Sequence, residues 1–198
     1  MEFTGKKVMV VGMAASGISA ANLLNKIGAE VILYDAKPKE NFDFSQIRGA
    51  FTDRFEADPC EVVKEADILV MSPGVPVKLP FVDLAKKLHK PVIAEIELGF
   101  LTAKADFVCI SGTNGKTTTT ALTGEIMKNY FKDVRVVGNI GIPYTSEAAT
   151  MTDETVTVAE ISSFQLETVE EFKPSVSAIL NITPDHLNRH KTMDCYID

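Results

Sequence analysis

The stretch Phe107-Val108-Cys109-Ile110-Ser111-Gly112-Thr113-Asn114-Gly115-Lys116-Thr117-Thr118 decides how this chain is read. Four apolar residues run into a polar turn with two glycines, and a helical pattern from about Lys116 to Tyr130 follows. Strand, glycine turn and helix in that order make an anion site. The turn offers backbone N–H groups, and the positive end of the helix dipole points at the same spot. Lys116 then reaches β- and γ-phosphates, and the Thr117 hydroxyl is placed to bind Mg²⁺. The spacing departs from the common GxxxxGK[ST] pattern, because Ile110 stands at the first glycine position and Gly112 lies closer in.

Outward from this unit, short β-branched runs alternate with amphipathic stretches, which predicts βαβ units around parallel sheets. Toward the N-terminus, Val8–Val11 reads as a strand that breaks at Gly12, and Ser16–Ile27 as a helix stopped by Gly28. Val31–Tyr34 is a second strand ending at Asp35. Ile68–Met71 is a third, running into Ser72-Pro73-Gly74-Val75-Pro76. A helix over Phe81–Leu88 and a strand from Val92 complete a first unit. Toward the C-terminus, strands are expected at Val134–Val137, Val156–Ile161 and Val176–Ile182. Glu95-Ile96-Glu97-Leu98 reads as a connecting helix, which divides the chain into 1–94, a linker at 95–104, and an unfinished second unit at 105–198.

Phosphate chemistry needs hard oxygen ligands beyond one hydroxyl. Glu160 interrupts an apolar strand, where a lone carboxylate is costly unless it is paired or bound to metal. His186 follows the strand Ala178-Ile179-Leu180, and both strand ends open on the edge of a parallel sheet where ligands collect. His186 and His190 are spaced four apart, yet the glutamate of an HExxH zinc motif is missing because Leu187 follows His186. In the first unit, Gly12-Met13-Ala14-Ala15-Ser16-Gly17 is a variant dinucleotide fingerprint with Ala14 at the middle glycine position, and Asp35 sits where a ribose-binding acid would.

The chain has 198 residues, with 20 basic and 27 acidic side chains and a net charge of −7. Basic residues number 13 in 1–104 and 7 in 105–198, against 14 and 13 acids, so neither half is a basic surface for nucleic acid. Cys60, Cys109 and Cys195 are isolated and odd in number, which argues against a disulfide framework and fits a reducing cytoplasm. The apolar run ending at Gly12 is too short for a signal sequence or a membrane span.

Four motifs in order resemble those of the Mur ligases: Ser111 to Thr119 (SGTNGKTTT), Gly138-Asn139-Ile140-Gly141, Glu160 to Glu167 (EISSFQLE) and Asn181 to His190 (NITPDHLNRH). The first unit is similar to that of members acting on UDP-N-acetylmuramoyl-L-alanine and D-glutamate. The resemblance implies a Rossmann-like N-terminal domain that binds the UDP substrate, followed by part of a P-loop-type α/β ATPase domain. It implies ATP and Mg²⁺ as cofactors and amide formation through an acyl phosphate, in peptidoglycan precursor synthesis. Gly112, Thr113, Asn114, Gly115, Lys116, Thr117 and Thr118 would hold ATP. Thr117, Glu160 and His186 would serve metal, with Lys116 and His186 catalytic. Ala15, Ser16, Asp35, Ala36, Lys37 and Gly74 would cradle UDP, and Asn139, Ser162 and Gln165 would lie near the muramoyl-alanine part. A cytoplasmic monomer with no nucleic-acid or membrane partner is expected.

The resemblance further implies a C-terminal domain beyond Asp198. It also implies a carbamylated lysine soon after a tyrosine like Tyr196, so that this stretch alone would be inactive. Two alternatives stay open: another Mur-type or folylpolyglutamate-type ligase, and a non-catalytic sugar-nucleotide-binding module.

Overall fold

A computed structural model describes residues 1–139 and 141–197. Ile140 of the Gly138–Gly141 motif and Asp198 lie outside the described residues. The chain folds around two parallel sheets. The first contains β1 (Lys7–Val11), β2 (Glu30–Tyr34), β3 (Phe51–Asp53), β4 (Ile68–Met71) and β5 (Val92–Ala94), in the order β3-β2-β1-β4-β5. Around it lie α1 (Ala15–Lys26), α2 (Pro59–Glu65) and α3 (Pro80–Lys87). Strand side chains alternate between two apolar layers, as a sheet buried on both faces requires. Val8, Val10, Val31, Leu33, Ile68 and Val70 join Ala20, Ala21 and Leu24 of α1 on one face. Met9, Val11, Ile32, Tyr34, Leu69 and Met71 join Val62, Val63, Phe81 and Val82 on the other.

The second sheet has the order β7-β8-β6-β9, with β6 (Asp106–Ser111), β7 (Asp133–Gly138), β8 (Thr155–Glu160) and β9 (Val176–Ile179). Helix α5 (Lys116–Met127) follows β6, α6 (Tyr144–Ala148) follows β7, and α7 (Ser163–Leu166) follows β8. The short helices α8 (Leu187–His190) and α9 (Met193–Ile197) come last. The core of this half centres on Phe107, whose ring meets Tyr144 edge-on at 5.0 Å and Phe172 at 5.1 Å. Burial pushes the Cys109 thiol up to about 11, and the Tyr144 hydroxyl is raised for the same reason.

The stretch expected to be a linker forms α4 (Glu95–Thr102), a core helix. Ile96 and Leu98 are fully buried, and so are Glu95 and Glu97. The buried carboxylates survive because backbone amides face them. Glu97 accepts from the amides of Glu171 and Phe172 at 2.7 and 3.0 Å. Glu95 Oε1 accepts from the Thr145 amide at 2.9 Å and from its hydroxyl at 2.5 Å. Burial still raises the Glu95 pKa above the ordinary carboxylate range. Thr145 also meets Ser19 of α1 at 2.7 Å, and Ala148 of α6 enters the first sheet's core. The two halves therefore share packing through α1, α4 and α6.

Five expected elements end earlier than read, α1 and α3 by a single residue at Lys26 and Lys87. The helix from Lys116 closes at Met127 rather than Tyr130, because Lys128–Tyr130 turn back on Gly124, Ile126 and Met127 carbonyls. Strand β8 ends at Glu160, and β9 at Ile179 rather than Ile182. Strand β3 and helix α2 lie in a stretch to which the pattern assigned no element.

Candidate functional site

The C-terminal ends of β6, β8 and β9 converge on the turn Ser111–Gly115. Gly112 has φ +130°, and a side chain there would sit 3.0 Å from the Asn181 carbonyl oxygen. Gly115 caps α5 in the left-handed region at φ +85°. Both positions thus require glycine, one for a close approach and one for its backbone. The turn is held by the segment after β9. The amides of Thr113 and Asn114 donate to Asn181 O and Oδ1, each at 2.9 Å, and Asn181 Nδ2 donates to Asn114 O at 2.9 Å. No side chain caps the first turn of α5, so its positive end is left for an anion. Lys116 Nζ folds across the turn, donating to the carbonyls of Gly112 at 2.7 Å and Thr113 at 3.0 Å. Thr117 and Thr118 are exposed on the first turn.

Glu160 ends β8 one strand away, in register with Ile110 of β6 and Gly138 of β7. It is 2% exposed. Its Oε1 accepts from Asn139 Nδ2 at 3.1 Å, while Oε2 is buried with no hydrogen-bond partner among the described residues. A buried carboxylate oxygen without a donor is costly, and a cation is the natural partner. His186 is exposed in the left-handed region at φ 51°, its ring 4.8 Å from Phe164. A non-glycine residue held in that region is a strained position of the kind found at functional sites. Among the described residues no three His, Cys, Asp or Glu side chains gather at metal-binding spacing. The orphaned Glu160 oxygen fits Mg²⁺, which takes one or two protein oxygens and fills the rest with phosphate and water.

Ser162 and Gln165 form the capping box of α7: Gln165 Oε1 accepts from the Ser162 amide at 2.9 Å, and Gln165 is buried. Asn139 is joined to Glu160. In the first sheet the strand order reverses direction between the paired strands β1 and β4, and the crevice outside their C-terminal ends is the place where open α/β sheets bind ligands. Asp35 Oδ2 accepts from the Met13 amide and Oδ1 from the Lys37 amide, each at 2.9 Å, which orders both loops. Ala15, Ala36, Lys37 and Gly74 are exposed around this mouth, with Ser16 half-buried. The α1 N-terminus at Ala14 also lacks a side-chain cap. A groove of about 1110 Å³ runs elsewhere, along α1 and α6, and includes Ala15 at its edge.

Sequence reasoning assigned no role to Asn181 or Tyr196. Asn181 shapes the phosphate turn from both its backbone and its side chain. Tyr196 places its hydroxyl 3.0 Å from Thr113 Oγ1. The signal for Asn181 was present, since an amide side chain directly after a strand often bonds neighbouring backbone.

The chain is thus a Rossmann-like sheet followed by a P-loop-type sheet, each with a glycine turn and an uncapped helix at its C-terminal edge. Comparison with known proteins gives the lineage. Residues 6–94 match the model of the Mur ligase MurD-like N-terminal domain, and residues 110–198 match the Mur ligase middle domain. The chain belongs to the Mur ligase family. It is 52% identical to the UDP-N-acetylmuramoylalanine–D-glutamate ligase of Lachnoclostridium phytofermentans, over 100% of this chain and 44% of that protein. It is 51% identical to the ligase of the same name from Lachnospira eligens, over 99% and 44%. The chain thus spans less than half the length of these relatives. In fold it is similar to the UDP-N-acetylmuramate:L-alanyl-gamma-D-glutamyl-meso-diaminopimelate ligase of Neisseria meningitides, with a TM-score of 0.55 at 17% identity, covering 98% of this chain and 65% of that one. It is also similar to a murein peptide ligase of Psychrobacter arcticus, with a TM-score of 0.53 at 15% identity, covering 93% and 44%.

Proposed function

We propose that this chain is the UDP-substrate and ATP-binding part of an ATP-dependent ligase that joins D-glutamate to UDP-N-acetylmuramoyl-L-alanine. The observation that carries the reading is the pairing of an uncapped phosphate turn with the buried, half-satisfied carboxylate of Glu160 on the neighbouring strand. The names of the relatives that match the whole chain at about half identity support the choice of substrates. On this reading residues 1–94 hold UDP, 95–104 connect, and 105–198 hold ATP.

Each residue then has a task. The amides of Gly112–Thr118 and the α5 dipole receive the phosphates. Lys116 exchanges its two carbonyl partners for phosphate oxygens as negative charge spreads over the transferred group. One Mg²⁺ would be held by Thr117 Oγ1 and a second by Glu160 and His186, and both would neutralise phosphate charge when bound. The alanyl carboxylate oxygen attacks the γ-phosphorus and ADP leaves. The D-glutamate nitrogen then attacks the acyl carbon, inorganic phosphate leaves, and the nitrogen gives up its proton. Asn139 holds Glu160 in place, and Asp35 orders the loops around UDP. On this reading the protein works as a cytoplasmic monomer. Among the described residues no helix is long and apolar enough to cross a membrane.

The test is Lys116→Ala in the full-length protein, read as ADP release dependent on both substrates. A loss of about 10²-fold or more in kcat is expected from removing one preorganised charge at the developing phosphate. Turnover within threefold of the parent would refute the reading.

A further inference from the structure

Arg189 has no role in the chemistry above, yet it spans the two halves of the molecule. From α8 it reaches into the first unit, where Nη1 donates to the Pro73 carbonyl and Nη2 to the Val75 carbonyl, each at 3.0 Å. Its other edge meets Glu167, with Nε 3.2 Å from both carboxylate oxygens and Nη2 bonded to Oε2. Its face covers the Phe164 ring, the guanidinium carbon 4.3 Å from the ring centroid. The arginine side chain is only 15% exposed. A planar fork satisfied along two edges and stacked on its face has little freedom left, and lysine cannot reproduce it.

Both ends of this contact are informative. The Ser72–Val75 loop carries Gly74 and also secures the turn after β1, because Ser72 Oγ donates to Gly12 O at 2.9 Å. On the other side, Phe164 lies against His186 at 4.8 Å and His190 at 5.5 Å. His190 in turn lies 5.1 Å from Tyr196, whose hydroxyl meets Thr113 of the phosphate turn. The contacts run without a break from the first unit's ligand mouth to the second's.

We infer that Arg189 is a positioning residue that locks the Ser72–Val75 loop, and the UDP-type ligand resting on it, in register with His186 and the phosphate turn. This rests on the functional reading above. Arginine is required because one side chain must donate to two carbonyls and a carboxylate at once.

The test uses the full-length protein and its Arg189→Ala and Arg189→Lys variants, with KM for UDP-N-acetylmuramoyl-L-alanine, KM for ATP and kcat measured separately. Loss of charge-assisted hydrogen bonds to the loop should raise the UDP-substrate KM about tenfold or more. KM for ATP should stay within twofold, and the lysine variant should fall between parent and alanine. A merely structural role would weaken both substrates together or leave both unchanged, and either result overturns the inference. Should both variants fail to fold, Glu167→Gln keeps the carbonyl bonds but loosens the fork. It should raise the UDP-substrate KM alone, and an unchanged value would count against the proposal. If the parent protein neither binds the UDP substrate nor ligates, it is the functional reading that fails.

Discussion

Replacing Gly17 by alanine sets two effects of opposite sign against each other at the mouth of the first sheet. Alanine in a helix is favoured over glycine by up to about 1 kcal/mol, largely through the freedom glycine loses on folding. The structure opposes this gain. A β-carbon at Gly17 would lie 1.8 Å from the Gly12 carbonyl oxygen, and 3.1 Å from Ser72 Oγ. The Gly12 oxygen cannot swing away cheaply, since it accepts from Ser72 Oγ at 2.9 Å and the Gly12 amide donates to Tyr34 O at 2.9 Å. Overpacking against fixed backbone costs about 3 kcal/mol at the upper end of its usual range. The net loss is about 2 kcal/mol, or a fall in Tm of about 4–8 °C for a chain of this size. Thermal unfolding followed by circular dichroism reads the change. Gly74→Ala is the control, because a β-carbon there meets nothing within 4 Å, and its Tm should stay within about 2 °C of the parent. A Gly17→Ala chain as stable as the parent would show that the turn after β1 is pliable and that this reasoning is wrong.

Two further predictions follow from burial. Desolvation raises the Glu95 carboxyl pKa in the folded state, so folding favours its neutral form, and stability is lost as pH rises through that folded value. Glu95→Gln should flatten the part of the pH–stability profile that falls as pH rises above the ordinary carboxylate range; an unchanged slope would contradict it. With its thiol pushed up to about 11, Cys109 should resist alkylation by iodoacetamide at pH 8 under native conditions while exposed Cys195 reacts, as peptide mass mapping would show.

Much of this architecture is written in local patterns. Val8–Val11, Ile68–Met71 and Phe107–Ile110 are apolar strands with no polar interruption, buried except at half-buried Val108, and glycine turns follow two of them, so strand, turn and helix could be placed closely. The segment 42–66 was harder. Strand β3 is only Phe51–Asp53, pairs on one side alone and is half-buried, so it carries no periodic signal. Helix α2 did carry one: Asp58 caps it through the Cys60 amide and Pro59 opens it, the expected start of a helix. Glu160 was legible as a misfit in an apolar strand, but its orphaned oxygen was not, because that depends on which neighbours cross from β6 and β7. The capping box of Ser162 and Gln165 fits the S-x-x-Q pattern, a local signal for a helix start. Arg189 lay beyond pattern altogether, since its partners at Pro73 and Val75 are remote in sequence and come near only when two sheets fold together.

The helix joining the two sheets bears on how ligand binding is driven. Because α4 is buried and Ala148 of α6 sits in the first sheet's core, sliding one sheet past the other would break the contacts of Ser19 and Glu95 with Thr145 and expose apolar surface. The spacing between the two mouths is therefore established when the chain folds. A ligand spanning both mouths meets a rigid gauge, and loses little affinity to ordering the protein around it.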